Sequence, residues 1–222
     1  MCGRYVLPRS VDELRAIFDV LGALPNWEPS WNIAPTQNAP VIRRHPETGE
    51  RRLDLLRWGL VPHFVTDPAT TRQPINARSE TAASTPMFRD ALARRRGIVP
   101  IDAFYEWSGE AKSKQAWAVE RADGDIMALA GLWEGWRGQD GTVLRTFTVL
   151  TTAACVVLEH LHHRMPVVLE RADWAAWLGE APGDPNRLLR SSEAGFKAWK
   201  IGPRVGNVRN NDPSLMDPLR EL

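Results

Sequence analysis

The sequence predicts an α+β fold in one domain, on three observations. Short runs rich in Val, Leu, Ile and Trp recur with turn residues between them, at 41–43, 53–58, 115–121, 126–133 and 144–151. Helical signatures are few and brief, the clearest being Ser10-Val11-Asp12-Glu13 ahead of Leu14, Ile17, Phe18 and Leu21. The 222 residues carry no internal repeat, low-complexity stretch or recognisable linker. One domain over 1–222, closing in a polar tail of roughly 12 residues, is the economical reading.

Taken in order, residues 2–7 read as a strand leading into Pro8. Ser10 and Glu13 form a capping box, and Gly22 is expected to end the helix it opens. Residues 23–38 hold Pro25, Pro29 and Pro35 and are expected to be irregular, although Trp31-Asn32-Ile33-Ala34-Pro35-Thr36-Gln37 is too specific for a generic connection. Strands 41–43 and 53–58 flank a turn at 46–49, and 63–74 is a loop. Thr85-Pro86 reads as an N-cap with Pro at the first helical position, giving a helix through Phe88, Ala91 and Leu92 that stops at Gly97. Residues 98–104 read as one buried strand that delivers Tyr105-Glu106-Trp107 to its end. Asp123-Gly124 and Asp140-Gly141 suggest that 115–121, 126–133 and 144–151 form a β-meander. A short helix at 153–161, a strand at 167–169 and a helix at 171–178 follow, before a polar, Pro- and Gly-rich C-terminal stretch.

Composition narrows the function. Hydrophobic residues make up 43% and charged residues 25%, ordinary for a soluble globular protein. No apolar run reaches membrane length, and residues 1–20 lack the apolar core of a signal peptide, so no membrane association and a cytoplasmic location are expected. Two cysteines, Cys2 and Cys155, cannot build a disulfide framework. His160, His162 and His163 match no zinc spacing, so neither a metal nor another cofactor is expected. Net charge is +1, yet only Lys112, Lys114, Lys197 and Lys200 of the 28 basic residues are lysines. Arginine binds phosphate bidentately and stacks on bases. Most of the ten tryptophans should fill the core, and any exposed ones would suit single-stranded nucleic acid.

Cys2 stands directly after the initiator Met1. The side chain at position 2 is small, so removal of Met1 is expected, which would leave a thiol and a free α-amine on adjacent carbons. Such a 1,2-aminothiol condenses with an aldehyde to an imine and closes to a five-membered thiazolidine, which no internal cysteine can do. On position alone, Cys2 reads as an incidental residue of an N-terminal strand. Glu106 is either a surface glutamate beside core aromatics or an acid/base raised toward neutrality by an apolar wall. His162 is either a turn histidine or a proton donor. Asn76 and Arg78 share one face of an extended segment and could fix a sugar and a phosphate, or simply cap a loop. Cys155 lies in apolar surroundings and reads as an inert thiol.

Together these segments closely resemble the SRAP family, the abasic-site processing proteins first described as SOS-response-associated peptidases. The resemblance is carried by Met1-Cys2-Gly3-Arg4, Trp31-Asn32-Ile33-Ala34-Pro35-Thr36, Trp58-Gly59-Leu60-Val61-Pro62, Asn76-Ala77-Arg78-Ser79-Glu80-Thr81, Phe104-Tyr105-Glu106-Trp107, Ala130-Gly131-Leu132-Trp133-Glu134, His162-His163-Arg164-Met165-Pro166 and Gly206-Asn207-Val208, in that order along nearly the whole chain. It implies a β-rich, barrel-like fold of mixed and antiparallel sheets with flanking helices, working as a monomer. It also implies a groove for single-stranded DNA, a thiazolidine crosslink between Cys2 and the ring-opened aldehyde of an abasic site, and supporting roles for Asn76, Glu106 and His162. Phosphate contacts are implied for Arg4, Arg78 and Arg164, and DNA contacts for Thr151, Trp58 and Phe64. Phe64 stands near where relatives carry a stacking Trp. A cysteine peptidase that releases its own Met1, and a non-covalent single-stranded DNA-binding module, are the rival readings.

Overall fold

The computed structural model describes residues 2–110, 114–192 and 194–219. The expected removal of Met1 therefore lies outside the described residues. The elements are β1 (Tyr5–Leu7), α1 (Val11–Phe18), β2 (Ser30–Ile33), β3 (Asn38–Arg44), β4 (Arg51–Trp58), β5 (Asn76–Arg78), α2 (Ser79–Ala82), α3 (Arg89–Arg94), β6 (Arg96–Ile101), β7 (Ala103–Ser108), β8 (Gln115–Arg121), β9 (Met127–Arg137), β10 (Val143–Ala153), β11 (Arg164–Pro166), β12 (Val168–Leu169), α4 (Trp174–Leu178) and β13 (Phe196–Ile201).

The strands fall into two sheets. In the larger, β10 pairs with β4, β4 with β3, β3 with β6, β6 with β9, and β9 returns to β10, so five strands close into a barrel. Closure removes exposed strand edges. β5 and β11 attach to β10, and β12 to β9. The β9–β10 hairpin turns at Asp140-Gly141, where Gly141 takes φ +84°. The second sheet runs β13-β8-β7-β1-β2.

This second sheet has two buried faces, and alternation along its strands sorts them. Tyr5, Leu7, Phe104 and Val119 point toward the barrel and join the main core. Val6, Ala103, Tyr105 and Ala118 point the other way, onto a smaller core completed by Ile201, Val205 and Leu215. Glu106 follows Phe104 at the same parity, so it faces the seam between sheet and barrel.

Several boundaries differ from expectation. The capping box of α1 is present, but the helix ends at Phe18, where Asp19 adopts a left-handed φ of 53°, and Gly22 lies beyond it. Residues 30–33 are not irregular: they form β2, because Trp31-Asn32-Ile33 pairs with β1. The helix expected from Thr85-Pro86 starts only at Arg89. Gly97 is no helix stop but sits in β6, where an added Cβ would lie 2.9 Å from Val41 and 3.1 Å from the Ile42 carbonyl. The single strand expected at 98–104 is broken at Asp102, which donates its N–H to the Val6 carbonyl and is held by Arg9 at 2.6 Å. That break moves the chain from barrel to second sheet. β8 consequently pairs with β7 and β13 rather than with β9, so the expected meander reduces to one hairpin. The helix expected at 153–161 is absent: Ala153 ends β10 and 156–161 are turns. The expected polar tail is packed: Leu215 is buried, Asn211 accepts hydrogen bonds from the Trp31 N–H and the Ser30 hydroxyl, and Pro218 bridges to Ile201.

Candidate functional site

The site forms at the seam, where the N-terminal arm of β1 crosses the ends of β5, β7, β10 and β11. The register Tyr5↔Phe104, continued back along β1, brings residues 2–4 alongside 105–107, and the Tyr105 N–H donates to the Arg4 carbonyl at 2.9 Å. From the barrel side, β5 and β10 run parallel with Thr151 beside Arg78. β10 and β11 pair with Ala153 opposite Arg164.

Cys2 is buried in the main core. Burial pushes its thiol from the ordinary 9.0 up to about 12, and the nearby Glu106 carboxylate adds to the rise. The Arg4 backbone works against that rise through a hydrogen bond to the thiol, without reversing it. The Arg4 guanidinium points away: its Nη1 donates to Asn32 Oδ1 and to the Val205 carbonyl, both at 2.8 Å, and it lies 5.9 Å from the Trp107 ring centre.

Asn76 is the barrel's grip on the chain start. Its Nδ2 donates to the Cys2 carbonyl at 2.8 Å, while its Oδ1 is buried without a hydrogen-bond partner. A buried acceptor left unmet costs on the order of 1–3 kcal/mol, so this oxygen awaits a donor.

Glu106 and His162 line one small cavity with Arg164, Leu158, Leu161 and Met165. Glu106 is 6% exposed, and its Oε1 accepts from the Trp107 N–H at 3.2 Å. His162 Nδ1 accepts the Arg164 N–H at 2.9 Å, which leaves Nε2 to carry the proton of the neutral ring. Burial lowers the pKa of His162, with the Glu106 carboxylate working against that, so the imidazole is neutral at pH 7.

Arg164 is not a free phosphate contact. Glu80 holds its guanidinium bidentately at 2.5 and 2.8 Å, and its Nη2 also donates to the Thr151 carbonyl at 2.5 Å. Arg78 is exposed and borders a cleft of about 520 Å³ shared with Arg72, Asn76, Met87 and Phe88. Thr151 lines that cleft but is fully buried, its hydroxyl spent on the Ala77 carbonyl and Arg164, so it shapes the wall rather than offering a contact. Trp58 belongs to the core: it is 0% exposed, stacks on Phe147 with centroids 6.0 Å apart and donates to the Ile75 carbonyl, so no base can reach it. Phe64 is the opposite case, 57% exposed and edge-on to His63.

Two residues that shape the site carry no role in the sequence reading. Asn32 anchors Arg4 and donates to the carbonyls of Val205, Asn207 and Asn210, stitching the chain start to its last third. Glu80 clasps Arg164. Both lie inside motifs the sequence reading singles out, and a buried Asn or a Glu next to Arg was the available signal. Among the described residues no group of three His, Cys, Asp or Glu side chains is placed to hold a metal, and no helix is long and apolar enough to cross a membrane.

Fold and site define a protein that sets its second residue, a buried cysteine, against an amide from β5, a carboxylate from β7 and a histidine from the turn ahead of β11. The family described as SOS response associated peptidase (SRAP) matches residues 1–208, and the chain belongs to it. It is 35% identical to the abasic site processing protein YoqW of Bacillus subtilis, over 98% of this chain and 99% of that one. The abasic site processing protein HMCES of Xenopus tropicalis is 28% identical over 97% of this chain and 78% of its own length. A solved protein from Bacteroides thetaiotaomicron superposes with a TM-score of 0.87 over 99% of this chain and all of its own, at 21% identity, which shows the shared fold.

Proposed function

We propose that the protein traps abasic sites in single-stranded DNA as a covalent thiazolidine on Cys2, shielding them from further damage. The observation that carries this reading is the Asn76 amide, bonded to the Cys2 carbonyl through Nδ2 with Oδ1 buried and unmet. Loss of Met1 would create an α-amine beside that carbonyl, a donor of the kind Oδ1 lacks.

The chemistry follows from the positions. The α-amine adds to the C1′ aldehyde of the ring-opened sugar, water leaves, and an imine forms. The Cys2 sulfur then adds to the imine carbon as its proton moves to the nitrogen, closing the ring. A thiol with a pKa near 12 needs a base close by for that step, and Glu106 is the carboxylate that senses it. His162, neutral with its proton on Nε2, can donate a hydrogen bond to a sugar oxygen but cannot take a proton there, so the two roles separate. Exposed Arg78, at the cleft beside Asn76, is assigned to a flanking phosphate, since Arg164 is clasped by Glu80 and Arg4 is bonded to Asn32 and Val205. The same high thiol pKa speaks against Cys2 as an unassisted peptidase nucleophile at neutral pH.

The test is an oligonucleotide with one abasic site, mixed with the protein and run on a denaturing gel. A shifted band that disappears with Cys2→Ala, and with any uncleaved extension ahead of Cys2, is the expected result. The same band from Cys2→Ala would remove the aminothiol mechanism, and binding without any denaturation-resistant band would leave a non-covalent DNA-binding module.

A further inference from the structure

A second groove, of about 650 Å³, opens at the C-terminal end of α3, between the β3–β4 turn and the end of α4. Four arginines line it, Arg44, Arg94, Arg95 and Arg96, in a chain whose net charge is only +1. Glu47 is the one acidic side chain among the described residues of the lining. Arg44 and Arg96 are held by backbone carbonyls rather than by carboxylates, whereas Arg95 is paired with Glu134. Arg96 donates to the carbonyls of Trp177, Leu92 and Ala93, and Arg44 to that of Gly179, each through Nε or Nη1. Such bonds fix a guanidinium in place while leaving Nη2 and the full charge to the groove. Arg94 is exposed. Among the described residues none of Arg44, Arg94 and Arg96 forms an ion pair. Trp133, backed by Arg43 at 4.6 Å from its ring centre, supplies an aromatic wall.

The groove is joined to the site already described by two routes. Met87 and Phe88 wall the cleft at Asn76, and Ala93 and Arg94 wall the groove, so α3 alone separates them. Its six residues span about 9 Å, a length that a strand covers in roughly two or three nucleotides. Arg95 makes the second link. Its Nη2 is bound to buried Glu134 at 2.6 Å and lies 3.4 Å from His63 Nδ1, and His63 packs edge-on against exposed Phe64. A line of contacts therefore runs from exposed Phe64 through His63 to Arg95 in the groove wall.

We propose that this groove is a second phosphate-binding track, holding the backbone of the nucleic-acid strand where it continues past Phe64. The proposal rests on the reading of the chain as a single-stranded DNA protein, but not on the crosslinking chemistry. Fixed guanidiniums suit phosphodiesters at any sequence, and each neutralised phosphate releases counterions.

The test uses non-covalent binding to strands carrying a tetrahydrofuran abasic analogue, which has no aldehyde to trap. One strand has about eight nucleotides on both sides of the analogue, and two others have them on the 5′ or 3′ side only, within the span such grooves cover. Arg94→Ala should weaken binding of the two-sided strand about fivefold at 0.1 M salt and lower its salt slope by about 0.7, the value for one single-strand phosphate contact. Arg94→Glu should weaken it more. The loss should recur on one of the one-sided strands and be absent on the other, with crosslinking to a short abasic oligonucleotide unchanged. Equal loss on both one-sided strands would reduce Arg94 to a general charge effect, and no loss on any strand would remove it from the path. Pyrophosphate titration that shifts Trp133 fluorescence, with every strand insensitive to Arg94→Ala, would assign the groove to a free phosphate ligand; each of these three results overturns the proposal.

Discussion

Alkylating Cys2 with iodoacetamide across a pH series, in a Cys155→Ser background that leaves it the only thiol, measures how far the fold suppresses its ionisation. Its pKa is pushed from 9.0 to about 12, by burial first and by Glu106 second. At pH 8 a shift of about three units cuts the thiolate fraction roughly a thousandfold. A more basic thiolate is also the better nucleophile, by about twentyfold over three units. The net expectation is alkylation about fiftyfold slower than a free cysteine peptide at pH 8, with a rate that keeps climbing past pH 9 where the peptide levels off. Glu106→Gln removes the second cause and should bring the inflection down. The same shift is a statement about stability. The folded pKa lies above the unfolded one, so the contribution is complete below about pH 9 and drains away between pH 9 and 12, by at most about 4 kcal/mol. Cys2→Ala should flatten that part of the pH–stability curve. Alkylation as fast as the peptide at pH 8, or a plateau near pH 9, would refute a buried neutral thiol.

Trp58→Ala should cost about 3–5 kcal/mol in denaturant unfolding, as the loss of a buried indole, whereas Phe64→Ala should stay within about 0.5 kcal/mol and instead weaken single-stranded DNA binding by about 1–3 kcal/mol. Asn76→Ala removes one hydrogen bond, worth about 1 kcal/mol of stability. Its larger effect should be on crosslink yield, seen on denaturing gels, with non-covalent affinity for the tetrahydrofuran strand nearly unchanged. The Arg164 clasp holds the pKa of Glu80 below the usual carboxylate value, so its stabilisation is present above about pH 4.5 and is lost as pH falls through the lowered folded value. Glu80→Gln should therefore be less stable than the parent at pH 7 in thermal melts, by about 1 kcal/mol, with the gap closing toward pH 3.

Local chemistry was legible where local chemistry decides. Ser10 and Glu13 close their capping box within four residues, and Asp140-Gly141 turns a hairpin between strands already adjacent in sequence. The misread stretches are those settled by distant partners. Nothing near residue 102 announces that the chain changes sheets there, because the cause is the Arg9 ion pair, 93 residues away. Residues 30–33 become a strand only because β1 needs a neighbour. Within the site, the exposure of the candidate residues was not readable. Trp58 and Phe64 look interchangeable as aromatics beside one loop, yet closure of the barrel over Phe147 buries the first and leaves the second in solvent. Arg164 looked like a phosphate ligand because its clasp, Glu80, comes from α2, 84 positions earlier.

The bond from Arg4 to the Val205 carbonyl spans 201 positions of sequence. β1 has no edge of its own: it lies between β2 and β7, so its place does not exist until residue 108 has been made, and its anchor arrives only with residue 205. At about 5–20 residues per second, a ribosome needs roughly 5–20 s to get from residue 108 to residue 205. The anchoring of the chain start is thus completed only after most of the chain has been made, and the expected removal of Met1 would have its easiest access before then.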